Sequence, residues 1–455
     1  MTRQAAPPLW DHQRQAAEEC FGRPGSLLHM GLGTGKTRVA VTLLDRWEAR
    51  VALVVCPLSV IPTWMAEVEK YSDRPWRTVN LHKGASRLKT AKAALVSAKH
   101  HDQPVLLVLN YESVYRDPLG SFLIKEAGLD VLVIDESHRL KSPRGVQSKY
   151  VYKLSQVVPR RLALTGTPMP AGPMDIFAQM RFIEPRLFGS SFFRFRARYA
   201  KMGGFGGHEV IGYKQVPELQ NKLASVTFQA SRDVLDLPEA THTEIRCELG
   251  REGRKIYNDL AQALRAELEE GEITAANGLV KLLRLQQLTG GTAVVDEVGE
   301  VRVDEAKAKA LEDLLDNVEP NEPFVVFAQF RADLAAIHRA AANLGRRSLE
   351  LSGGANDLQA WKDGAAPILA VQIHSGGTGV DLTRSRYCAY YSTGFNLGDY
   401  EQSLARVHRP GQGRSVHYYH LVTNETVDDQ VYGALRSKKR VVDAILNHLK
   451  ENYDA

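Results

Sequence analysis

Few cysteines occur in this 455-residue sequence, and the four present are widely separated, at Cys20, Cys56, Cys247 and Cys388. Their spacing matches neither a metal-binding pattern nor a disulfide framework. Each lies in a segment that we expect to be buried, which favours a reducing compartment.

Long apolar runs are also missing. No run approaches the roughly 18 to 20 residues that a membrane-spanning helix needs, and the first eight residues (MTRQAAPP) lack the apolar core of a signal peptide. The sequence also lacks a low-complexity tail, a sustained heptad pattern and a short-period repeat. We therefore expect a cytoplasmic protein without membrane contact.

Neither sign of charge dominates the composition. Lys and Arg number 58 against 53 Asp and Glu, and the net charge of +5 permits a polyanionic partner without identifying one. With 44% hydrophobic and 24% charged residues, the composition is that of a globular protein. The length predicts two or three domains.

The first 185 residues alternate short Val/Ile/Leu runs with longer helical patterns. Three of these runs are continuously apolar: Val51–Cys56, Val105–Leu109 and Val131–Ile134. Such runs are typical of strands that are buried on both faces of a parallel sheet. The alternation predicts a layered α/β lobe with right-handed crossovers.

A second series of the same type begins near residue 300. We expect its strands at Phe324–Phe327, Ile368–Val371 and Tyr387–Tyr391, with a helix at Ala332–Asn343. Two similar lobes therefore flank a middle region, which holds a glycine-rich turn at Gly203–Gly207.

The domain prediction is residues 1–235 and 236–455. The first domain would carry a protrusion at about 186–230, and the second a helical insertion at about 250–292 that includes the helical pattern of Arg254–Glu270.

A glycine-rich string in the first lobe, GTGKT, has the residue types of a phosphate-binding loop. Gly33 and Gly35 would let backbone N–H groups approach phosphate oxygens, Lys36 supplies a positive charge, and the Thr37 hydroxyl can bind Mg²⁺. The full pattern is incomplete, because Met30 stands where its first glycine would be. A glycine-rich turn with a surface lysine is the alternative.

Two acidic residues follow an apolar run at Ile134–His138 (IDESH). Asp135 would lie at the carboxyl end of its strand, where α/β sheets place their sites, and could hold Mg²⁺ through water. Glu136 could polarise an attacking water. A charged helix start after a strand is the alternative. Upstream, the Gln13 amide could recognise a donor and an acceptor on adenine, although a surface glutamine is the commoner explanation.

Further strings follow one order along the chain. They are Leu53–Trp64 (LVVCPLSVIPTW), Asp135–His138 (DESH), Arg161–Pro168 (RLALTGTP), Ser375–Leu382 (SGGTGVDL) and Ala405–Gln412 (ARVHRPGQ). In these strings the chain resembles the Swi/Snf-type branch of the superfamily-two helicases, in a minimal form similar to phage and bacterial DEAD/DEAH-box ATPases. The resemblance implies two RecA-like parallel-sheet lobes in tandem with small helical insertions, in a bacterial or phage-infected cell.

The resemblance also implies an ATP site with Mg²⁺ as cofactor. Catalysis would use Lys36, Asp135 and Glu136 from the first lobe, with Arg406 and Arg409 as arginine fingers from the second. These arginines are three residues apart, so they would share one face of a helix. Guanidinium groups stabilise the negative charge that spreads over a γ-phosphate during transfer.

The remaining nucleotide-binding residues implied by the resemblance are Asp381 and Gln402 in the second lobe. Asp381 stands where most Swi/Snf-type proteins have asparagine, and in RNA-helicase relatives an aspartate there contacts the ATP ribose. Ala405 replaces the usual glycine, and Phe395 precedes Asn396 where tryptophan is usual.

Nucleic-acid contacts are likewise implied by the resemblance. Hydroxyls, amides and backbone N–H groups suit contacts to sugar and phosphate that ignore sequence, and a helix cap is the alternative for each serine or threonine. The candidates are Ser59, Trp64, Tyr111, Thr165, Thr167, Gln329, Ser375, Gly377, Thr378 and Asn396. The stretch Arg181–Lys201 interleaves basic and aromatic residues, which fits either DNA contact or an element packed on the first lobe.

Three functions are compared with these motifs. The first is an ATP-driven translocase on double-stranded DNA that remodels DNA or protein–DNA complexes without separating strands. The second is a true strand-separating DNA or RNA helicase. The third, a catalytically silent binding module, conflicts with the presence of Lys36, Glu136 and both arginines. We expect a monomer, with a protein partner as one possible source of targeting.

Overall fold

The computed structural model describes residues 6–82, 86–203, 209–269, 275–295, 299–374 and 380–451. The chain forms two compact units. The first unit runs to Asp236 and also includes the C-terminal segment from Lys438 onward. The second unit runs from Leu237 to Ser437. Among the described residues, no helix combines the length and hydropathy needed to cross a membrane.

The first unit is built around a parallel sheet with helices on its faces. Its strands are β1 (Gly25–Met30), β2 (Val51–Cys56), β3 (Arg77–Asn80), β4 (Val105–Asn110), β5 (Val131–Asp135), β6 (Arg160–Thr165), β7 (Ala200–Gly203), β8 (Glu209–Tyr213) and β9 (Thr227–Ala230). Its helices are α1 (Asp11–Phe21), α2 (Lys36–Arg46), α3 (Ile61–Tyr71), α4 (Arg87–His100), α5 (Tyr111–Val114), α6 (Leu119–Lys125), α7 (Val146–Ser155), α8 (Ile176–Ile183), α9 (Phe192–Tyr199) and α10 (Val216–Ala224).

The strand order of this sheet is β3-β4-β2-β5-β6-β1-β9, with parallel pairing throughout, and β7 and β8 form a separate antiparallel hairpin. The central strands β2, β4 and β5 are buried because helices cover both faces, which is why their sequences are continuously apolar. Strand β6 separates β1 from β5, so the loops after these three strands open at one edge.

The second unit repeats this architecture. Its strands are β10 (Ala240–Cys247), β11 (Thr292–Val295), β12 (Gly299–Arg302), β13 (Phe324–Ala328), β14 (Ser348–Leu351), β15 (Ile368–Gln372), β16 (Tyr387–Tyr390) and β17 (Val416–Thr423). Its helices are α11 (Arg251–Glu269), α12 (Ala275–Thr289), α13 (Ala306–Asp316), α14 (Arg331–Asn343), α15 (Leu358–Lys362), α16 (Leu397–Val407) and α17 (Val427–Glu451), the last of which continues past Ser437.

Its main sheet has the order β10-β17-β16-β13-β15-β14, again all parallel, while β11 and β12 pair antiparallel. The predicted fold class, two parallel-sheet α/β lobes in tandem, is confirmed. The predicted turn at Gly203–Gly207 lies largely outside the described residues. The four cysteines are free and buried, with Cys20 and Cys56 in one hydrophobic cluster of the first unit and Cys247 and Cys388 in two clusters of the second.

Candidate active site

The phosphate-type loop joins β1 to α2. Gly33 and Gly35 have φ angles of 87° and 85°, a left-handed conformation that glycine adopts without steric cost. A side chain at Gly35 would place its Cβ 2.3 Å from Nε2 of Gln13. Met30, at the position of the missing first glycine, ends β1 with its side chain buried in the core, so the loop proper begins one residue later.

Lys36 begins α2 and is buried, with 9% of its surface exposed. Its ammonium donates to the carbonyl oxygens of Met30 at 3.0 Å and Gly31 at 3.3 Å. Burial lowers the pKa of Lys36, while the nearby charges of Glu136 and Asp135 oppose that shift. A buried cation on two neutral carbonyls is well placed to exchange them for anionic phosphate oxygens.

Asp135 is the last residue of β5 and is 6% exposed. Its two carboxylate oxygens accept from the indole N–H of Trp64 at 2.8 Å and from the backbone N–H of Glu136 at 2.9 Å. Burial, followed by the neighbouring Glu136 charge, raises the pKa of Asp135 to about 6. The carboxylate is therefore a buried anion without a direct cationic hydrogen-bond donor among these partners.

Glu136 follows in a left-handed conformation, with φ of 52°, and is 4% exposed. Burial favours its neutral form, but the hydrogen bond and charge of His138, with the charge of Lys36, outweigh it, so the pKa of Glu136 is lowered. Its carboxylate therefore persists at neutral pH. The strained backbone turns this side chain away from the strand direction that Asp135 follows.

His138 is a site residue for which the sequence alone indicates no role. Its Nδ1 lies 3.3 Å from Oε2 of Glu136 and 2.9 Å from Oγ1 of Thr165. Thr165 ends β6 and also accepts from the backbone N–H of Thr167 at 3.1 Å. His138 thus connects the acidic motif after β5 to the threonine motif after β6. Its position in the DESH string was the available signal.

Gln13 lies against the phosphate-type loop and is 5% exposed. Its amide donates to the Thr34 carbonyl at 3.0 Å, and its oxygen accepts from the Trp10 backbone N–H at 3.1 Å. The predicted adenine-reading amide is thus adjacent to the loop, with both of its polar ends bonded to the protein.

Trp64 and Tyr111, predicted nucleic-acid contacts, are both fully buried. The Trp64 indole bonds to Asp135, and the Tyr111 hydroxyl donates to the Asp135 carbonyl at 2.6 Å. Neither side chain is presented to solvent, because both point inward to hold the turn after β5. Their role in this conformation is to position Asp135.

The other candidates of the first unit differ in exposure. Ser59 is exposed just after β2, whereas Thr165 is fully buried and Thr167 is 6% exposed. The Thr165 hydroxyl is engaged by His138, so of these three side chains only Ser59 is open to a ligand on the surface.

The two arginines of the second unit lie close to one another but not on one helix. Helix α16 ends at Val407, with Arg406 in its last turn and Arg409 beyond it. This corrects the expectation of a shared helix face: the chain turns at His408, before Pro410, which cannot continue a helix. Arg406 donates to the Ile373 carbonyl and Arg409 to that of Val380, both at 3.4 Å.

Burial lowers the pKa of Arg406, which is 8% exposed, while Arg409 is half-buried. The backbone of Leu382 donates to the Arg406 carbonyl at 2.9 Å, which joins the two motifs. Burial favours neutral Asp381, but hydrogen bonds from Thr383 and the charge of Arg409 outweigh it and lower the pKa of Asp381.

Three further predicted residues lie near these motifs. Gln402 is half-buried on α16, and Gln329 follows β13 with its backbone N–H bonded to Ser392 Oγ at 2.8 Å. Asn396 caps α16 by accepting from the Gly398 backbone N–H at 3.0 Å, so its cap role is observed. The predicted contacts Ser375, Gly377 and Thr378 lie outside the described residues.

Most aromatic side chains of the 181–201 stretch pack on one another. Phe195 is buried in α9, with ring-centroid distances of 5.1 Å to Phe177, 5.0 Å to Phe188 and 4.9 Å to Tyr199. Phe193 instead is 70% exposed. The stretch is therefore a packed element of the first unit with a solvent-facing side.

Comparison with known proteins places these motifs in a family. The model of the SNF2-related domain matches residues 16–302, and that of the helicase conserved C-terminal domain matches residues 306–411. Protein p41 of Acyrthosiphon pisum secondary endosymbiont phage 1 is 27% identical over 445 residues, covering 92% of this chain and 94% of the phage protein.

Longer relatives share only part of their length with this chain. The human DNA annealing helicase and endonuclease ZRANB3 is 25% identical over 94% of this chain, which spans 39% of ZRANB3. A solved Sulfolobus solfataricus SWI2/SNF2 ATPase core in complex with dsDNA covers 98% of this chain and 94% of its own at 22% identity, with a TM-score of 0.45, a likeness too distant to support an inference. From the family match over 16–302 and its ordered motifs, the chain belongs to the SNF2 family of helicase-related ATPases.

Proposed function

We propose that this protein hydrolyses ATP to move along double-stranded DNA and to remodel DNA or protein–DNA complexes, without separating the strands. The observation that carries the proposed ATP hydrolysis is the buried set of Lys36, Asp135 and Glu136, of which Lys36 follows β1 and the two carboxylates lie at the end of β5, at one edge of a parallel sheet. A lone buried lysine or carboxylate has structural explanations, but this combination beside a glycine-rich loop suits a nucleoside triphosphate.

The residues present fit ATP with Mg²⁺. The N–H groups of the Gly31–Gly35 loop and the Lys36 ammonium would hold the phosphates, and the half-buried Thr37 hydroxyl with the buried Asp135 carboxylate would hold the metal, Asp135 partly through water. The metal, when bound, neutralises charge on the phosphates. Asp135 accepts two hydrogen bonds from Trp64 and Glu136, which fix the direction of its carboxylate.

Glu136 would orient and polarise the attacking water. Its lowered pKa makes it a carboxylate at neutral pH, able to accept a hydrogen bond from that water. Nδ1 of His138 lies 3.3 Å from Oε2 of Glu136, so the water would bind at Oε1. Through Thr165, His138 would also make the position of Glu136 sensitive to the threonine motif.

Arg406 and Arg409 would supply positive charge to the transferring phosphoryl group. Each now donates a long hydrogen bond to a neutral carbonyl, which a phosphate oxygen would readily replace because a charge-assisted bond is stronger. Asp381 and Gln402 are the accompanying proposals for nucleotide recognition. Since these residues belong to the second unit, hydrolysis would depend on both units.

The nucleic-acid proposal rests on the family and on the candidates from the resemblance, of which Ser59 is exposed and Gln329 and Asn396 are half-buried. ZRANB3 is named for action on DNA, and its similarity to this chain supports DNA as the polyanion. We propose Ser59, Gln329 and Asn396 as backbone contacts, together with Ser375, Gly377 and Thr378. Small polar groups of this kind bind without sequence preference.

The test is nucleic-acid stimulation of ATP hydrolysis combined with strand separation. We expect the steady-state ATPase rate to rise with duplex DNA more than with single-stranded DNA or RNA. A forked duplex with a fluorophore and quencher should stay paired during hydrolysis. Robust ATP-dependent separation of the fork would contradict the proposal in favour of a strand-separating helicase, and the absence of any nucleic-acid stimulation would contradict both.

A further inference from the structure

A chain of four polar side chains in the second unit runs from Gln329 through His374 and Asp399 to Asn396. His374 Nε2 lies 3.1 Å from Nε2 of Gln329, and His374 Nδ1 lies 3.2 Å from Oδ2 of Asp399. The same Asp399 oxygen accepts from Nδ2 of Asn396 at 2.6 Å. The ends of this chain are proposed nucleic-acid contacts, and its two central residues have no assigned role.

The four residues come from three different segments. Gln329 follows β13, His374 follows β15, and Asn396 and Asp399 lie at the start of α16. Through Asp399, His374 connects Gln329 to the start of α16. The adjacent residue, Ile373, accepts a hydrogen bond from Arg406 at the end of the same helix.

The hydrogen-bond partners of His374 accommodate a doubly protonated ring. A carboxylate only accepts, so Nδ1 must carry a proton toward Asp399. The Gln329 oxygen is buried without a hydrogen-bond partner in the described part of the chain, while its NH₂ faces His374. The two ends of the amide are not distinguished by heavy-atom shape. With the oxygen toward His374, a protonated Nε2 donates to it and the NH₂ takes the other position.

The electrostatics of the position agree with that protonation. The hydrogen bond to Asp399 raises the pKa of His374 above its usual value, against the opposing effects of partial burial and of the Arg406 charge. Half of the His374 side chain remains exposed, so the ring exchanges protons with solvent. Neutral His374 could satisfy Asp399 but could no longer donate to Gln329.

We propose that His374 is a positioning residue that, as an imidazolium, bridges Asp399 and Gln329 and so holds Gln329 and Asn396 in one arrangement for binding duplex DNA. The inference rests on the proposed function, since Gln329 and Asn396 are its nucleic-acid contacts. Its consequence is proton-linked DNA affinity: as pH rises through the pKa of His374, the ring loses its positive charge and can only accept from Gln329, and binding weakens.

The experiment measures the duplex concentration that gives half-maximal stimulation of ATP hydrolysis by the full chain, from about pH 6 to about pH 8.5, a range that brackets ordinary histidine titration. The DNA-free rate at each pH separates effects on the ATP site. For the wild type we expect that concentration to rise about tenfold across the range, the loss typical of one charge-assisted hydrogen bond.

Three variants make the measurement specific. His374→Gln should bind duplex as weakly at low pH as at high pH. Asp399→Asn should move the midpoint of the wild-type transition to lower pH, since it removes the group that stabilises the imidazolium. His338→Gln is the matched control: His338 pairs with Glu350 at 3.1 Å elsewhere in this unit and should leave the profile unchanged.

The DNA-free ATPase rate and the thermal midpoint show whether both variants are folded. With folded variants, the inference fails if His374→Gln keeps the wild-type pH profile, or if Asp399→Asn leaves the pH midpoint unchanged. If duplex does not stimulate the wild type at any pH, the proposed function fails first and the inference falls with it. The pH profile distinguishes the two roles that His374 could have. A role that depends on its protonation gives a titration midpoint, whereas a purely structural role does not.

Discussion

Asp135 and Glu136 are adjacent, buried carboxylates whose pKa values shift in opposite directions. Burial dominates at Asp135, where the hydrogen-bond donors are neutral groups of Trp64 and the backbone, and its pKa rises to about 6. At Glu136, His138 and Lys36 reverse the effect of burial. A bound cation would therefore stabilise the Asp135 carboxylate, whereas the Glu136 carboxylate is already stabilised by its neighbours.

Replacing Glu136 by glutamine tests the proposed water-orienting role. Glu136→Gln keeps the size of the side chain but removes the anion, so we expect nucleotide affinity to stay near that of the wild type while turnover falls by about 10²- to 10⁴-fold. Fluorescent-nucleotide binding and single-turnover hydrolysis measure the two quantities. Glu126→Gln, a surface residue paired with Lys92, is the control. Hydrolysis at a near wild-type rate would remove Glu136 from this role.

Replacing Asp135 by asparagine tests the cost of its burial. A carboxyl group whose pKa is higher in the folded state destabilises the fold as pH rises above its unfolded-state pKa of 3.8. The penalty is complete above the folded-state pKa of about 6, where the rise corresponds to about 3 kcal/mol. Asp135→Asn should therefore raise the thermal midpoint at pH above about 6, although it removes a proposed metal ligand. The gain should shrink as the pH falls through 6 toward 4. A gain that is independent of pH would contradict this account.

At the element scale, α9 depends on its aromatic packing. Phe195 contacts the rings of Phe177, Phe188 and Tyr199, whereas Phe193, two residues earlier on the same helix, is 70% exposed. Phe195→Ala should destabilise the first unit by about 3–5 kcal/mol, the usual cost of deleting a buried ring. Phe193→Ala should change stability by less than about 0.5 kcal/mol.

Thermal unfolding of both variants measures the difference. Equal midpoints would show that the aromatic cluster does not stabilise this element. If Phe193→Ala instead weakens duplex binding at unchanged stability, the exposed side of α9 takes part in nucleic-acid contact.

The sequence predicts those strands and helices whose pattern of apolar residues is visible within the segment itself. Continuous apolar runs identify β2, β4, β5, β13 and β15, because a strand covered on both faces has no polar positions. Strand β17 (VHYYHLVT) interrupts its apolar residues with histidines and escapes such a search. The end of α16 at Val407 likewise depends on how the chain turns toward Pro410.

The motifs of the candidate site are predictable from the sequence, but the hydrogen-bond partners of their residues are not. The types and order of Lys36, Asp135 and Glu136 indicate phosphate chemistry directly. That Trp64 and Tyr111 face inward to Asp135 is a tertiary contact between segments far apart in the chain, so the residue types alone suggest a surface role equally well. The bridge made by His374 is invisible in sequence for the same reason.

At the scale of the whole molecule, the proposed ATP hydrolysis uses residues of both units. Arg409→Ala should spare nucleotide binding to the first unit while lowering turnover by about 10³-fold, as expected of an arginine that stabilises the transferring phosphoryl group. Arg414→Ala is the control, since Arg414 lies near Arg409 in sequence but pairs with Glu322. Unchanged turnover in Arg409→Ala would contradict the assignment.

Displacement of a third strand from a DNA triplex tests the central claim most directly, because it requires movement along duplex DNA and does not require the duplex to open. A labelled triplex-forming strand is placed at one end of a duplex, and its release is followed with ATP. The account predicts ATP-dependent release by the wild type with the duplex still paired, and no release by Glu136→Gln. Vigorous duplex-stimulated ATP hydrolysis without release of the third strand would contradict it.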